Sequence, residues 1–339
     1  MKTIICTYNI KWFEYQFNAD NTLKTFGSSK KDKELQDQRD GVIKALETIQ
    51  PEIFGVVEAP NTTTTVGVQS CELKLKAFLN LMGWNQYEVI TGYISPGRQE
   101  LALVYDSTKF SAKHIPGGKA GSKSNPPFDE VFYFDTDDDK IKEVYEFYRP
   151  PLEVEFTNLS SNEKISVILM HAKSKGVFTN VDLLHLDRES VKNRKKLFAE
   201  CSWVRARVEE WLEDDRRIIV MGDINDGPGM DYYESNFGKS AVELLLGDLF
   251  DNKRLLIHPG GRPKWGSYGW EPSTTRFKDP ITERNVSAQI DHILISKNVP
   301  YVENSYKIWN PNKLDEAKPI KNELNDASDH FPVTIEIEW

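Results

Sequence analysis

The chain repeatedly places an acid, an amide or an imidazole directly after a run of apolar residues. Asn9 follows Thr3-Ile4-Ile5-Cys6-Thr7-Tyr8, Glu58 follows Ile53-Phe54-Gly55-Val56-Val57, and His171 follows the segment from Ile165 to Met170. Asp223 and Asn225 follow Ile218 to Met221, Asp291 stands within the apolar stretch 288–296, and the pair Asp329-His330 precedes the closing run from Phe331. Carboxylates with few imidazoles and no cysteine are a donor set for a hard cation, Mg²⁺ or Mn²⁺, held through one or two carboxylates with several waters retained. Zinc fits such a set poorly. The same residues offer a carboxylate that accepts a hydrogen bond from an attacking water and an amide that can donate to a phosphoryl oxygen. Two histidines could move protons, and a carboxylate such as Asp291 beside one of them would fix its tautomer and raise its pKa.

Taken singly, each residue has an ordinary explanation. Asp223 and Asn225 suit a turn before Gly227-Pro228, and Glu58 suits a charge meeting solvent at a strand end. Their recurrence at the ends of core strands is what argues for a site. Ile218 to Met221 is too short for a buried helix and β-branched enough for a buried strand. Side-chain alternation then predicts Asp223 and Asn225 on one face, with Ile224 returned to the core.

The elements that must position these groups alternate along the chain. Strands are expected over 3–9, 53–57, 86–90, 101–105, 144–148, 152–156, 165–170, 218–221, 288–296 and 331–339, with a short one over 251–257. Helical spacing covers 34–49, closed by Pro51, then 72–82 and 187–212, the last with Leu197, Cys201, Val204 and Val208 on or near one stripe. A glycine-rich loop spans 116–130 and an acidic turn spans Asp135 to Lys140. The stretch 259–285 carries Arg262, Trp265, Tyr268, Trp270 and Arg276, and a loop of that length is more often functional than a short connection. No internal repeat or low-complexity tract is present.

With 339 residues, 39% hydrophobic and 28% charged, the chain can bury a sizeable core. Its net charge of −9 argues against a broad sequence-independent grip on nucleic acid, while leaving room for a local basic groove or an acidic metal centre. No apolar run approaches the roughly 20 residues needed to cross a bilayer. Met1-Lys2 leads straight into the first strand without a signal-peptide core, so no membrane association and a cytoplasmic location are expected. Cys6, Cys71 and Cys201 are odd in number and widely spaced, which reads as reduced thiols. Nothing calls for an obligate protein partner, and a monomer is expected.

The ordered series T-Y-N-I-K, V-V-E, R-P-P, H-A-K-S-K-G, G-D-I-N-D, I-D-H-I-L and S-D-H-F-P runs from residue 7 to 332. Single pieces are common by chance, but the whole series in this order resembles the endonuclease/exonuclease/phosphatase superfamily, whose fold is that of pancreatic deoxyribonuclease. The resemblance implies one domain over 1–339, built as a four-layer α/β/β/α sandwich of two packed mixed sheets with helices outside and the site at one edge. It implies that Glu58 is the principal metal ligand with Asn9 and Asp329 near the ion, Mg²⁺ or Mn²⁺, with Ca²⁺ as a structural possibility. Asp223 would orient or activate the attacking water, Asn225 would stabilise phosphoryl oxygens, and Asp291 with His330 would serve as general base or electrostatic clamp. His171 resembles the second histidine of the deoxyribonuclease-like branch. Members often give that histidine a glutamate partner, but the matching position here is Gln99, with Glu100 one residue away and so on the opposite face of a regular strand. The expectation is therefore either a bulge that restores Glu100 or an amide partner for His171. Arg149 matches an arginine near the scissile phosphate, and H-A-K-S-K-G is similar to large bacterial nucleases, which would bring Lys173 and Lys175 to phosphate. Tyr268 and Arg276, with Trp265, would meet substrate.

The activity expected is metal-dependent phosphodiester hydrolysis by a metal- and base-activated water, acting on DNA or RNA. A phosphatase or phospholipase-type phosphodiesterase for a small or lipid substrate is the alternative, mildly favoured by the acidic charge. A non-catalytic binding module would normally show a lost carboxylate or histidine, and here every core position is filled.

Overall fold

The computed structural model describes residues 2–63, 69–137, 139–177, 183–227, 234–260, 273–278 and 283–339. In chain order its strands are β1 (Lys2–Asn9), β2 (Ile53–Ala59), β3 (Tyr87–Thr91), β4 (Glu100–Asp106), β5 (Phe110–His114), β6 (Phe132–Phe134), β7 (Glu143–Tyr145) and β8 (Leu152–Asn158), followed by β9 (Lys164–His171), β10 (Ile218–Asp223), β11 (Leu256–Ile257), β12 (Thr275–Lys278), β13 (Asn285–Ala288), β14 (Asp291–Ser296), β15 (Lys307–Ile308) and β16 (Val333–Glu338). The helices are α1 (Lys30–Ile49), α2 (Cys71–Leu81), α3 (Leu183–Glu213), α4 (Ala241–Leu246) and α5 (Lys321–Ala327). α1 starts where Ser29 Oγ accepts the Asp32 N–H at 3.1 Å and stops at Gln50, whose φ of 51° is left-handed.

Two six-stranded mixed sheets carry the fold, in the orders β15-β16-β1-β2-β4-β3 and β11-β14-β10-β9-β8-β5. β1 lies parallel to β2 and antiparallel to β16, and β10 lies parallel to β9 and antiparallel to β14. Both central strands are buried almost throughout, which explains their unbroken apolar runs. Alternation sorts the second sheet: Leu169, Met221 and Ile293 join the core between the sheets, whereas Ile168, Val220 and Leu294 pack outward with Val204 and Val208 of α3. Gly55 is required where the sheets touch, because a Cβ there would sit 2.6 Å from Leu169 and 3.1 Å from Met221.

Most predicted elements are present, with boundaries moved by a few residues. Three expectations change. The stretch 288–296 is two strands, broken at Gln289-Ile290, where the Ile290 carbonyl accepts the Ile224 N–H at 2.8 Å. The expected loop 259–285 contains β12, which pairs with β13 in a hairpin that short polar segments did not announce. Within 251–257 only Leu256–Ile257 is strand. All three cysteines are free and buried. Among the described residues, no helix is long and apolar enough to cross a membrane.

Candidate active site

Parity along the strands builds the site. Since Leu169, Met221 and Ile293 point between the sheets, the residues two positions toward the open edge, His171, Asp223 and Asp291, point there as well. The pairing registers set Asp223 directly beside His171 on β9 and beside Asp291 on β14, so the three lie abreast on adjacent strands. Gly222 makes the approach possible: its φ is 133° and a Cβ would fall 2.0 Å from the Met170 carbonyl oxygen. From the facing sheet, Asn9 donates through Nδ2 to Asp223 Oδ2 at 2.9 Å. The site is the end of the inter-sheet space, where the apolar core gives way to polar groups from both sheets.

Two imidazoles approach the same oxygen of Asp223. His171 Nε2 is 3.5 Å from Oδ2 and His330 Nε2 is 3.9 Å from it. His330 Nδ1 lies 2.8 Å from Asp291 Oδ2, the geometry of an N–H donated to a carboxylate. Burial would pull its pKa down, but the charge and hydrogen bond of Asp291, with Asp223 and Asp329 behind it, push it up to about 10. His171 goes the opposite way, well below its ordinary value, through burial and the neighbouring Arg149 and His330. Burial and the Asp291 carboxylate push Asp223 up to about 7.

Neither expected partner reaches His171. Glu100 is buried and accepts hydrogen bonds from the N–H (2.8 Å) and hydroxyl (3.0 Å) of Thr62. Gln99, with a left-handed φ of 75°, accepts from Arg149 Nη1 at 2.7 Å. His171 Nδ1 is buried without a hydrogen-bond partner, as are Asn9 Oδ1 and Arg149 Nε.

Asn225 is held differently from the simple alternation expected. The strand ends at Asp223, and Asn225 is left-handed (φ 57°), its N–H bonded to Asp223 Oδ1 at 2.9 Å and its amide donating to the Ala172 carbonyl at 3.0 Å. It therefore both closes the turn and fixes the Asp223 carboxylate. Glu58 occupies a bulge between Val57 and Ala59, with φ 60°, and its Oε2 accepts the Trp12 N–H at 2.8 Å. Asp329 pairs with Lys11 at 2.8 Å. The turn after Asn9 thus ties Glu58 and Asp329 to the same edge, and Ser328 Oγ closes it by donating to the Asn9 carbonyl at 2.8 Å.

A divalent cation fits here by donor chemistry: the Glu58 and Asp329 carboxylates lie at the same edge as the buried, unpartnered amide oxygen of Asn9. A second grouping, Asp223, Asp291 and His330, has ligand atoms within 4.8 Å of one another. Its Asp291 and His330 are already bonded to each other and its Asp223 Oδ2 to Asn9, so the Glu58 side is the better place. On the exposed turn, Asp135, Asp137 and Asp139 also cluster, with Lys195 bridging Asp137 and Glu143.

The basic residues separate. Arg149 is half-buried near Glu200, Glu58 and Asp223, and loss of solvent around its guanidinium lowers its pKa. Lys173 gives its ammonium to the Ser174 carbonyl at 3.1 Å and its N–H to Glu200, which burial pushes up to about 7. Lys175 lies between Asp226 (2.7 Å) and Glu234 (2.8 Å), an ion cluster that links the residue shortly after β10 to Glu234. Arg276 shares a cleft of about 290 Å³ with Lys11, Ser328 and Asp329. Tyr268 and Trp265, with Arg262 and Trp270, lie outside the described residues. Lys11 and Glu200 escaped the sequence reading, and Gln99 was named there only as a partner for His171, not for Arg149; Lys11 had a signal, as the last residue of T-Y-N-I-K.

No protein-family profile matches the chain, and no curated protein matches it in sequence. Solved structures do. An endonuclease/exonuclease/phosphatase family protein from Bacteroides thetaiotaomicron aligns with a TM-score of 0.53 at 14% identity, over 99% of this chain and 95% of that one. The endonuclease/exonuclease/phosphatase from Bacteroides vulgatus gives 0.52 at 14%, over 100% and 99%. The chain has the endonuclease/exonuclease/phosphatase fold. The human Nocturnin catalytic domain, solved with a bound sulfate anion, shares it with a TM-score of 0.51 at 12% identity, over 99% of this chain and 94% of that one. Since a fold hosts many activities, what this endonuclease/exonuclease/phosphatase-fold chain does is argued from its site residues.

Proposed function

We propose that the protein is a divalent-metal-dependent phosphodiesterase that cleaves nucleic acid strands. The observation that carries this reading is Asp223, buried at the meeting of two sheets, held by Asn9 and Asn225 and flanked by two imidazoles of opposite character. With its pKa raised to about 7, Asp223 is a competent base for a water attacking phosphorus. His330, charged at neutral pH and steadied by Asp291, faces developing negative charge on the phosphoryl oxygens and can give a proton to the leaving oxygen. Neutral His171 offers one hydrogen bond. Arg149 presents its guanidinium from the other side, fixed by Gln99. A cation held by Glu58, with Asn9 and Asp329, would supply further positive charge against the phosphate.

The expected result is hydrolysis of plasmid, single-stranded RNA or a chromogenic phosphodiester that EDTA abolishes and Mg²⁺ or Mn²⁺ restores, with Glu58→Gln raising the metal concentration required. Full activity in chelator would refute the metal requirement. Turnover of phosphomonoesters or phospholipids alone would favour the small-substrate reading, which the net charge of −9 supports.

A further inference from the structure

The turn after Asn9 divides its residues sharply by environment. Ile10, Phe13, Gln16 and Phe17 are buried, whereas Trp12 is 36% and Tyr15 39% exposed. Phe13 packs edge-on against Phe17 and Phe78. Glu14 holds the buried Lys74 at 2.7 Å and the Asn61 N–H at 2.8 Å, and Gln16 bonds Gln38 at 2.8 Å and Arg39 at 3.1 Å. The turn is braced from beneath while two large rings stand in solvent. Those rings are stacked, with centroids 5.7 Å apart and planes at 18°. Trp12 is also left-handed, φ 49° and ψ 46°, a conformation that is strained for a non-glycine residue. Surface coverage explains neither the strain nor the exposure.

Position supplies the reason. The Trp12 backbone N–H bonds Glu58 at 2.8 Å, so the residue is anchored at the candidate metal site. Lys11 and Arg276 line the adjoining cleft, and the Lys31 ammonium lies 5.8 Å from the Tyr15 ring centre. Flat rings beside cations are the combination that binds single strands, the rings taking bases and the cations taking phosphates. A lipid chain calls instead for a concave apolar groove. We propose that Trp12 and Tyr15 form a stacking platform for a nucleobase next to the phosphate attacked by the Asp223-activated water. This rests on the phosphodiesterase reading and narrows its substrate to a base-bearing ester.

The test compares two p-nitrophenyl esters that differ only in the base, those of thymidine 5′-phosphate and of 1,2-dideoxyribose 5-phosphate. The ratio of their kcat/KM values isolates the base, because any disturbance of Glu58 acts on both esters. Trp12→Leu and Tyr15→Leu should each lower that ratio by about 5- to 150-fold. Trp12→Phe should recover most of it, and melting temperatures should hold. An unchanged ratio in both leucine variants, with folding intact, overturns the platform. If the wild type cleaves neither ester with Mg²⁺ or Mn²⁺, the phosphodiesterase reading fails instead. The platform is then judged by binding: tryptophan fluorescence should be quenched by thymidine 5′-phosphate, weakly by the base-free phosphate, and the difference should vanish in Trp12→Phe/Tyr15→Leu. Equal quenching by both ligands overturns it.

Discussion

His171 and His330 approach one oxygen of Asp223 from neighbouring positions, His171 from β9 and His330 from the segment ahead of β16, and both are largely buried. Burial alone would leave both neutral. His330 has Asp291 at 2.8 Å and becomes a strong base, whereas His171 has an unpartnered Nδ1, a guanidinium nearby, and a depressed pKa. A partner at hydrogen-bond distance thus outweighs desolvation on one flank, and its absence lets desolvation prevail on the other. Asp223 sits between a fixed positive charge and a neutral imidazole, so its two flanks are suited to different tasks.

The largest expected effect comes from breaking the charged flank. His330→Ala and Asp291→Asn should each lower kcat/KM by about 10²- to 10⁴-fold, and the double variant should be little worse than either single one, because the pair acts as a unit. Multiplicative losses would show that Asp291 and His330 contribute independently.

The neutral flank should matter less, and in a different way. An imidazole well below its ordinary pKa has no proton to give at neutral pH, so His171→Ala should cost about tenfold, one hydrogen bond's worth. That loss should be the same for a nitrophenyl and for an ordinary alkoxide leaving group. His330→Ala, by contrast, should hurt the ordinary leaving group more. If leaving-group sensitivity belongs to His171, the general acid has been assigned to the wrong histidine.

Sequence showed the frame of this contrast but not its sign. Apolar runs gave the central strands, and alternation set Asp223 on the face opposite Ile224, which packs in the outer cluster with α3. The resemblance already paired Asp291 with His330, but the surroundings of His171 were hidden, because they depend on backbone conformations that regular strand geometry does not foresee. Glu58 and Gln99 are both left-handed non-glycine residues. Gln99 therefore turns to Arg149, and Glu100 to Thr62. The β12–β13 hairpin was hidden for another reason: its eight residues carry no apolar alternation strong enough to separate them from loop. Lys11 and Trp12 lay in the open, but only the contacts to Asp329 and Glu58 connect them to the site.

A further expected effect is on stability, and it tests the charged flank without substrate. A histidine whose folded pKa is about 10 against 6.5 when free stabilises the fold fully below pH 6.5, and that contribution is lost as pH rises through 10. Asp223 slopes the same way in a lower window: its carboxyl is raised from 3.8 to about 7, so the folded state gives up stability as pH rises between those values. The two windows separate above pH 7.5. Between 7.5 and 10 the unfolding free energy of the wild type should therefore fall with a slope approaching one proton, about 1.4 kcal/mol per pH unit. In Asp291→Asn the carboxylate that raises His330 is gone, burial dominates, and that component of the slope should vanish while other alkaline titrations remain. Urea melts of both proteins at half-unit steps measure the difference. Parallel slopes would mean that His330 titrates alike with and without Asp291, and the contrast between the two flanks of Asp223 would collapse.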